Sequence, residues 1–236
     1  MNNDPHITRA FDRDLESIQA LVLRMGGLVE AALSDAAAAL ETRDDALSLR
    51  VRSGDAAIDA LEEQINSECA RLIAIRAPTA NDLRTVLAVM KIASSLERCG
   101  DYAKNLAKRA VVLGAMQPIE GAAGSIRRMA RQVGLLLKNA LDAFITRDVG
   151  LAEEVRLQDQ DVDQMYSALF REFLTHMMED PRHITACMHL HFIAKNIERV
   201  GDHATTIAEQ VIYLATGTLP DAPRPKGETV FSGLKP

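Results

Sequence analysis

"LERCGDYAKNLA", Leu96–Ala107, decides the fold, because it returns 101 residues later as "IERVGDHATTIA", Ile197–Ala208. Each stretch sets a Glu and an Asp four residues apart around a glycine, inside an apolar pattern that is otherwise helical: Glu97 and Asp101, then Glu198 and Asp202. Residues at i and i+4 share one face of an α-helix, a turn apart. Working outward, the repeat extends upstream with an offset of 104, matching Arg24-Met25 with Arg128-Met129, Thr42-Arg43-Asp44 with Thr146-Arg147-Asp148, and Asp55 and Asp59 with Asp159 and Asp163. The offset changes only across the Pro78 and Pro181 turns. A length change confined to a turn is what a duplication tolerates.

Within each copy the apolar residues recur every three or four positions. Phe11, Leu15, Ile18, Leu21/Val22, Met25, Leu28/Val29, Ala32/Leu33, Ala36 and Leu40 begin the series, and Val51, Ile58, Leu61, Ile65, Cys69 and Leu72 continue it. The spacing predicts helices near 7–41, 45–75, 80–114, 120–147, 149–179 and 183–216. The chain reads as all-α, two tandem three-helix bundles of six long antiparallel helices, with units 1–116 and 117–216 and a flexible tail over 217–236. Only 4% of residues are aromatic and Trp is absent, so the cores must be built from aliphatic side chains.

A net charge of −6 offers no broad footprint for nucleic acid or anionic lipid. No apolar run reaches the roughly 18 residues of a membrane span, and the start lacks a signal-peptide pattern. The sequence reads as cytoplasmic, with any membrane association through a partner. Cys69, Cys99 and Cys187 form no Cys-x-x-Cys pair and read as reduced, packed thiols.

Counting from the turn between the second and third helices puts Asp59 and Glu97 at about 27–30 Å from it, hence level with each other. Asp163 and Glu198 are level in the second copy by the same count. Four carboxylates from neighbouring helices are therefore expected to converge in each repeat: Asp55, Asp59, Glu97 and Asp101, then Asp159, Asp163, Glu198 and Asp202. Three readings stand: solvated helix faces, an acidic docking surface, or a site for a hard cation such as Mg²⁺, Ca²⁺, Mn²⁺ or ferric iron. Gly100 and Gly201 cost about 1 kcal/mol each in a helix interior, which points to close helix packing beside the acids or to a ligand role. Arg98 and Arg199 are read as exposed arginines or as anion or partner contacts. His183, His189 and His191, present in one copy only, are read as boundary histidines or metal ligands.

The opening "HITRAFDRDLESIQALVLRMGGLVEAAL", His6–Leu33, the doubled Glu-Arg-x-Gly-Asp and the two three-helix copies together resemble the PhoU family over about residues 5–216. That resemblance implies a non-enzymatic, cytoplasmic phosphate-transport accessory protein that represses the phosphate-starvation (Pho) response and restrains phosphate uptake. It implies two partners, the ATPase subunit PstB of the phosphate ABC transporter and the sensor histidine kinase PhoR, and a homodimer. It further implies metal ions (iron, manganese, magnesium or zinc) on the eight acids named above. The alternative is a carboxylate-bridged metal enzyme of the di-iron bundle type, but such sites use a Glu-x-x-His that this chain does not repeat.

Overall fold

The computed structural model describes the backbone of residues 5–220 and side chains from residue 11; the expected tail lies outside the described residues beyond 220. Among the described residues there are six α-helices and no strand: α1 (Pro5–Thr42), α2 (Asp45–Arg76), α3 (Ala80–Gly114), α4 (Ala122–Thr146), α5 (Val149–Glu179) and α6 (Ile184–Thr216). Three starts shift by one or two residues, those of α1, α4 and α6. Gly121, left-handed at φ 74°, begins α4 after Glu120, and a single 3₁₀ turn over Pro181–His183 precedes α6.

The apolar stripe of α1 is buried as its spacing predicts, from Phe11 through Ile18, Val22, Met25, Val29 and Leu33 to Leu40. At the doubled positions Val22 and Val29 face the core, whereas Leu28 stays exposed. Burial of such side chains is worth roughly 1.5–3 kcal/mol each, which is what holds helices of this length together rather than their intrinsic propensity. Cys69, Cys99 and Cys187 are all buried and free. Burial pushes the Cys69 thiol up to about 11, and Cys99 and Cys187 upward for the same reason.

The repeated Thr-Arg-Asp proves to be one compact device for reversing the chain. Arg43 (φ 54°) and Arg147 (φ 53°) are left-handed, which ends the incoming helix. The next residue caps the outgoing one: Asp44 accepts from the Leu47 N–H at 2.9 Å, and Asp148 from the Leu151 N–H at 3.0 Å.

Helices α1, α2 and α3 pack on one another, as do α4, α5 and α6, and the two trios meet through α3 against α6 and α1 against α4. One continuous apolar core runs through both. In the central pair, Arg84 of α3 lies over the ring of Tyr213, and Arg109 contacts His189. The two helices are therefore antiparallel. Arg98 is fourteen residues beyond Arg84, and Arg199 fourteen before Tyr213, so the two equivalent arginines stand level at the point where the repeats are related to each other.

Candidate functional site

In the first repeat α2 and α3 carry the acids, and Gly100 sets how closely the helices approach. A Cβ on Gly100 would stand 3.0 Å from Ile58 Cδ1 and 3.7 Å from Asp55 Oδ1. In the second repeat the fit is tighter, with Asp159 Oδ1 only 2.8 Å from a Cβ on Gly201. The glycines are close-packing positions beside buried carboxylates, one of the two roles their sequence context allowed.

The four expected acids of the first repeat lie within electrostatic reach of one another, pair by pair. Asp55 is buried at 4% exposure. Asp59 is held above its ordinary pKa, by burial first and then by Asp55 and Asp101. Glu97 is likewise raised by burial, with Asp101, Glu62 and Asp59 adding to the effect. Glu62 is thus a fifth member, one helical step beyond the pair that spacing singled out. The repulsion is relieved from within: the Lys104 ammonium, three residues after Asp101, bonds Asp55 directly and lies 3.9 Å from Asp101. Its bond to Asp55 raises the lysine pKa and keeps it charged.

The second repeat assembles the same acids with a different counter-charge. Asp159 and Asp163 are buried, at 1% and 9% exposure. Thr205 replaces Lys104, and its hydroxyl donates to the Asp202 carbonyl at 2.7 Å. Lys195, whose first-repeat equivalent is Ser94, instead donates to Glu198 Oε1 at 2.6 Å. Tyr166 stands where the first repeat has Glu62, with Lys195 over its ring at 5.2 Å. The other oxygen, Glu198 Oε2, is buried without a hydrogen-bond partner. Burial raises the Glu198 pKa first of all; Lys195 opposes the rise, and Asp202 and Asp163 add to it.

Among the described residues no three His, Cys, Asp or Glu side chains converge as a group that could hold a metal ion. As donor sets the repeats nevertheless differ. In the first, an ammonium already sits on the most buried carboxylate. In the second, Lys195 holds one oxygen of Glu198 while the other is an orphaned buried acceptor, and an oxygen donor set with such an acceptor suits a hard cation. The histidines singled out from the sequence, His183 before α6 and His189 and His191 on it, are dispersed. His189 Nδ1 lies 3.2 Å from Arg109, His191 packs on Tyr166 and Phe170, and His183 lies 6.3 Å from His176, ring centre to ring centre. Lys104, Lys195 and Glu62 had no place in the sequence-derived site. The signal that finds them is the set of positions where the copies disagree in charge.

Comparison with known proteins agrees with the doubling. The sequence model of the PhoU domain matches twice, over residues 22–110 and 126–211. The phosphate-specific transport system accessory protein PhoU homolog of Caulobacter vibrioides is 46% identical over 221 residues, 94% of this chain and 96% of that one. Its namesake in Rhizobium meliloti is 43% identical over 223 residues, 94% of each chain. The crystal structure of PhoU from Pseudomonas aeruginosa superposes with a TM-score of 0.85 at 40% identity, covering 88% of this chain and all of that one. That of the phosphate transport system regulatory protein PhoU from Streptococcus pneumoniae gives 0.83 at 31%, covering 90% and 100%. No helix among the described residues is long and apolar enough to cross a membrane.

Proposed function

Because this chain belongs to the PhoU family, we propose that it is a cytoplasmic accessory regulator of phosphate transport that works by docking rather than by catalysis. In this reading it bridges the transporter ATPase PstB and the sensor kinase PhoR, lowers phosphate uptake and keeps the phosphate-starvation response off when phosphate is plentiful. The observation that carries it is the pair of acid clusters, each built around a packing glycine and set in rigid helices on either side of the repeat axis. Such a scaffold offers doubled, fixed surfaces to two partners. A deletion strain carrying a phosphate-responsive reporter tests the role: the reporter should switch on in high phosphate and be silenced again by the intact gene. A reporter that stays off in the deletion strain overturns it. Co-purification with each partner tests the bridge.

A cation belongs to the same proposal. Asp159, Asp163, Glu198 and Asp202 would hold it in preference to Asp55, Asp59, Glu97 and Asp101, since the orphaned Glu198 oxygen lies in the second set, where Lys195 occupies only the other oxygen, whereas Lys104 sits on the deepest acid of the first. Iron, manganese or magnesium suits the oxygen donors better than zinc. Elemental analysis of protein purified without chelator should find metal that Glu198→Gln with Asp202→Asn removes. The substitutions Glu97→Gln with Asp101→Asn should leave most of it. Metal content unaffected by either pair overturns the assignment.

A further inference from the structure

We infer that the exposed face shared by α3 and α6, centred on Arg98 and Arg199, is a docking surface for an acidic protein segment. What sets it apart is how its cations are gathered. Several cations elsewhere in this acidic chain are matched to carboxylates, among them Arg76 with Asp14, Lys104 with Asp55, Arg127 with Glu41, Lys138 with Asp142 and Lys195 with Glu198. On this face five cations, Arg84, Lys91, Arg98, Arg109 and Arg199, share one helical stripe on α3 and its counterpart on α6. Only Arg98 has carboxylates within reach, at 3.6 Å (Glu97) and 3.9 Å (Asp101), and it remains 60% exposed. The other four form no ion pair among the described residues.

Three of the guanidinium groups are instead laid against rings. Arg84 lies 5.4 Å from the Tyr213 ring centre, Arg109 4.5 Å from Phe192 and Arg199 5.8 Å from Tyr102. A ring contact of this kind leaves a guanidinium's N–H edge available to grip a carboxylate bidentately; Arg109 also meets His189 and Arg84 packs beside Gly217, so the available edges centre on the exposed Arg98 and Arg199. Tyr102 in turn meets His203 at 5.8 Å, and Arg98, Lys91 and Arg199 lie near enough to act electrostatically on that imidazole, as does the Asp202 carboxylate with the opposite sign.

The same stripe exposes Leu87, Met188 and Phe192, at 49%, 39% and 44%. Large apolar side chains interleaved with unmatched arginines fit an amphipathic acidic segment better than a bare polyanion, which gives apolar side chains nothing to cover. From Arg84 to Arg109 the face runs about 38 Å, room for a helix of roughly 25 residues. The occupant is thus identified by charge complementarity and by the apolar anchors.

This inference rests on the reading of the chain as a docking regulator, and two measurements separate the two. The first is fluorescence anisotropy with a labelled synthetic 20-residue helix of Glu, Leu and Ala. The parent should bind it in a salt-sensitive manner, Arg98→Glu with Arg199→Glu should weaken binding at least tenfold, and Arg98→Gln with Arg199→Gln should fall between. Arg128→Glu with Arg131→Glu, on α4, should change it by less than twofold. Melting temperatures of the variants control for folding. No binding by the parent, equal binding by the charge-reversed protein, or preference of the parent for anionic vesicles or DNA each overturns the surface. The second measurement is co-purification with the transporter ATPase and the kinase. Equal capture by the parent and Arg98→Glu/Arg199→Glu overturns the surface and leaves the regulator standing. Capture of neither partner by the parent overturns the bridging reading while the peptide result stands by itself.

Discussion

In the first repeat the most buried acid, Asp55, is met by Lys104 of the facing helix; in the second, Thr205 stands at that position and Lys195 bonds Glu198 instead. The two halves therefore share a backbone and an acid set but not a counter-charge. In the first the ammonium sits on the deepest aspartate, and in the second it sits on the glutamate. The second leaves Glu198 Oε2 buried and unmatched. A duplicated fold can preserve a set of carboxylates while each copy places its own ammonium on a different member of the set.

The largest expected effect breaks the first of these pairings. Lys104→Ala strands Asp55, a carboxylate at 4% exposure, without its charge partner. We expect a loss of about 2–3 kcal/mol, below the roughly 3–5 kcal/mol of a fully buried pair because Lys104 itself keeps some solvent contact. Urea denaturation at pH 7 measures it, and a change under about 0.5 kcal/mol would show that Asp55 is satisfied by other means. Lys104→Thr, which copies the second repeat, should cost nearly as much in the absence of added metal.

Next in size is the pair of glycines. Gly201→Ala drives a methyl to 2.8 Å from the short, buried Asp159 side chain, whereas Gly100→Ala meets Ile58 at its Cδ1 (3.0 Å) and Cγ2 (3.2 Å), apolar contacts that a small rotation relieves. Overpacking costs about 1–3 kcal/mol, and alanine returns about 1 kcal/mol of helix propensity. Gly201→Ala should therefore destabilise by about 1–2 kcal/mol while Gly100→Ala comes out near zero. Equal losses at the two sites would mean that the carboxylate yields as readily as the isoleucine.

Much of this was legible in the sequence, for identifiable reasons. The helices followed from apolar periodicity, and the level of Asp59 with Glu97 followed from counting back to a turn, because helical rise is nearly constant. Periodicity and rise do not report which residue at i+3 turns inward. Lys104 is a solvated lysine to any pattern reading, and only its bond to Asp55 reveals it as part of the cluster. Glu62 escaped for a similar reason: it matches Tyr166 in the other copy, so searching for shared acids discards it. Repeats show what both copies need; the chemistry peculiar to each lies where they differ.

A pH titration sharpens the contrast in the second half. Glu198 has a folded-state pKa raised above the ordinary 4.5, so the folded protein favours its protonated form. Its contribution is most favourable below pH 4.5 and is lost as pH rises through the shifted value. Glu198→Gln should then be more stable than the parent at pH 7–8 in metal-free buffer, with the advantage shrinking as pH falls toward 4.5. Denaturation midpoints across that range test the sign. An added cation that occupies the site should reverse it, stabilising the parent alone.

The smallest effect lies at the two reversals of the chain, where the copies again differ behind a shared motif. Arg43 and Arg147 both occupy the left-handed region, which costs a residue with a side chain about 1 kcal/mol. Glycine at either position removes that strain, offset in part by the greater freedom it gives the unfolded chain. Arg147 has no side-chain hydrogen bond among the described residues, so Arg147→Gly should stabilise by about 0.5 kcal/mol. The Arg43 guanidinium, by contrast, donates to the carbonyl oxygens of Gly114 (3.4 Å) and Met116 (3.0 Å), tying the α1–α2 turn to the end of α3. Removing it leaves the last carbonyls of α3 to water alone, so Arg43→Gly should gain nothing or lose a few tenths of a kcal/mol. Opposite signs in one denaturation series would show that the Thr-Arg-Asp motif serves the turn in both repeats but an interhelical tie in only the first.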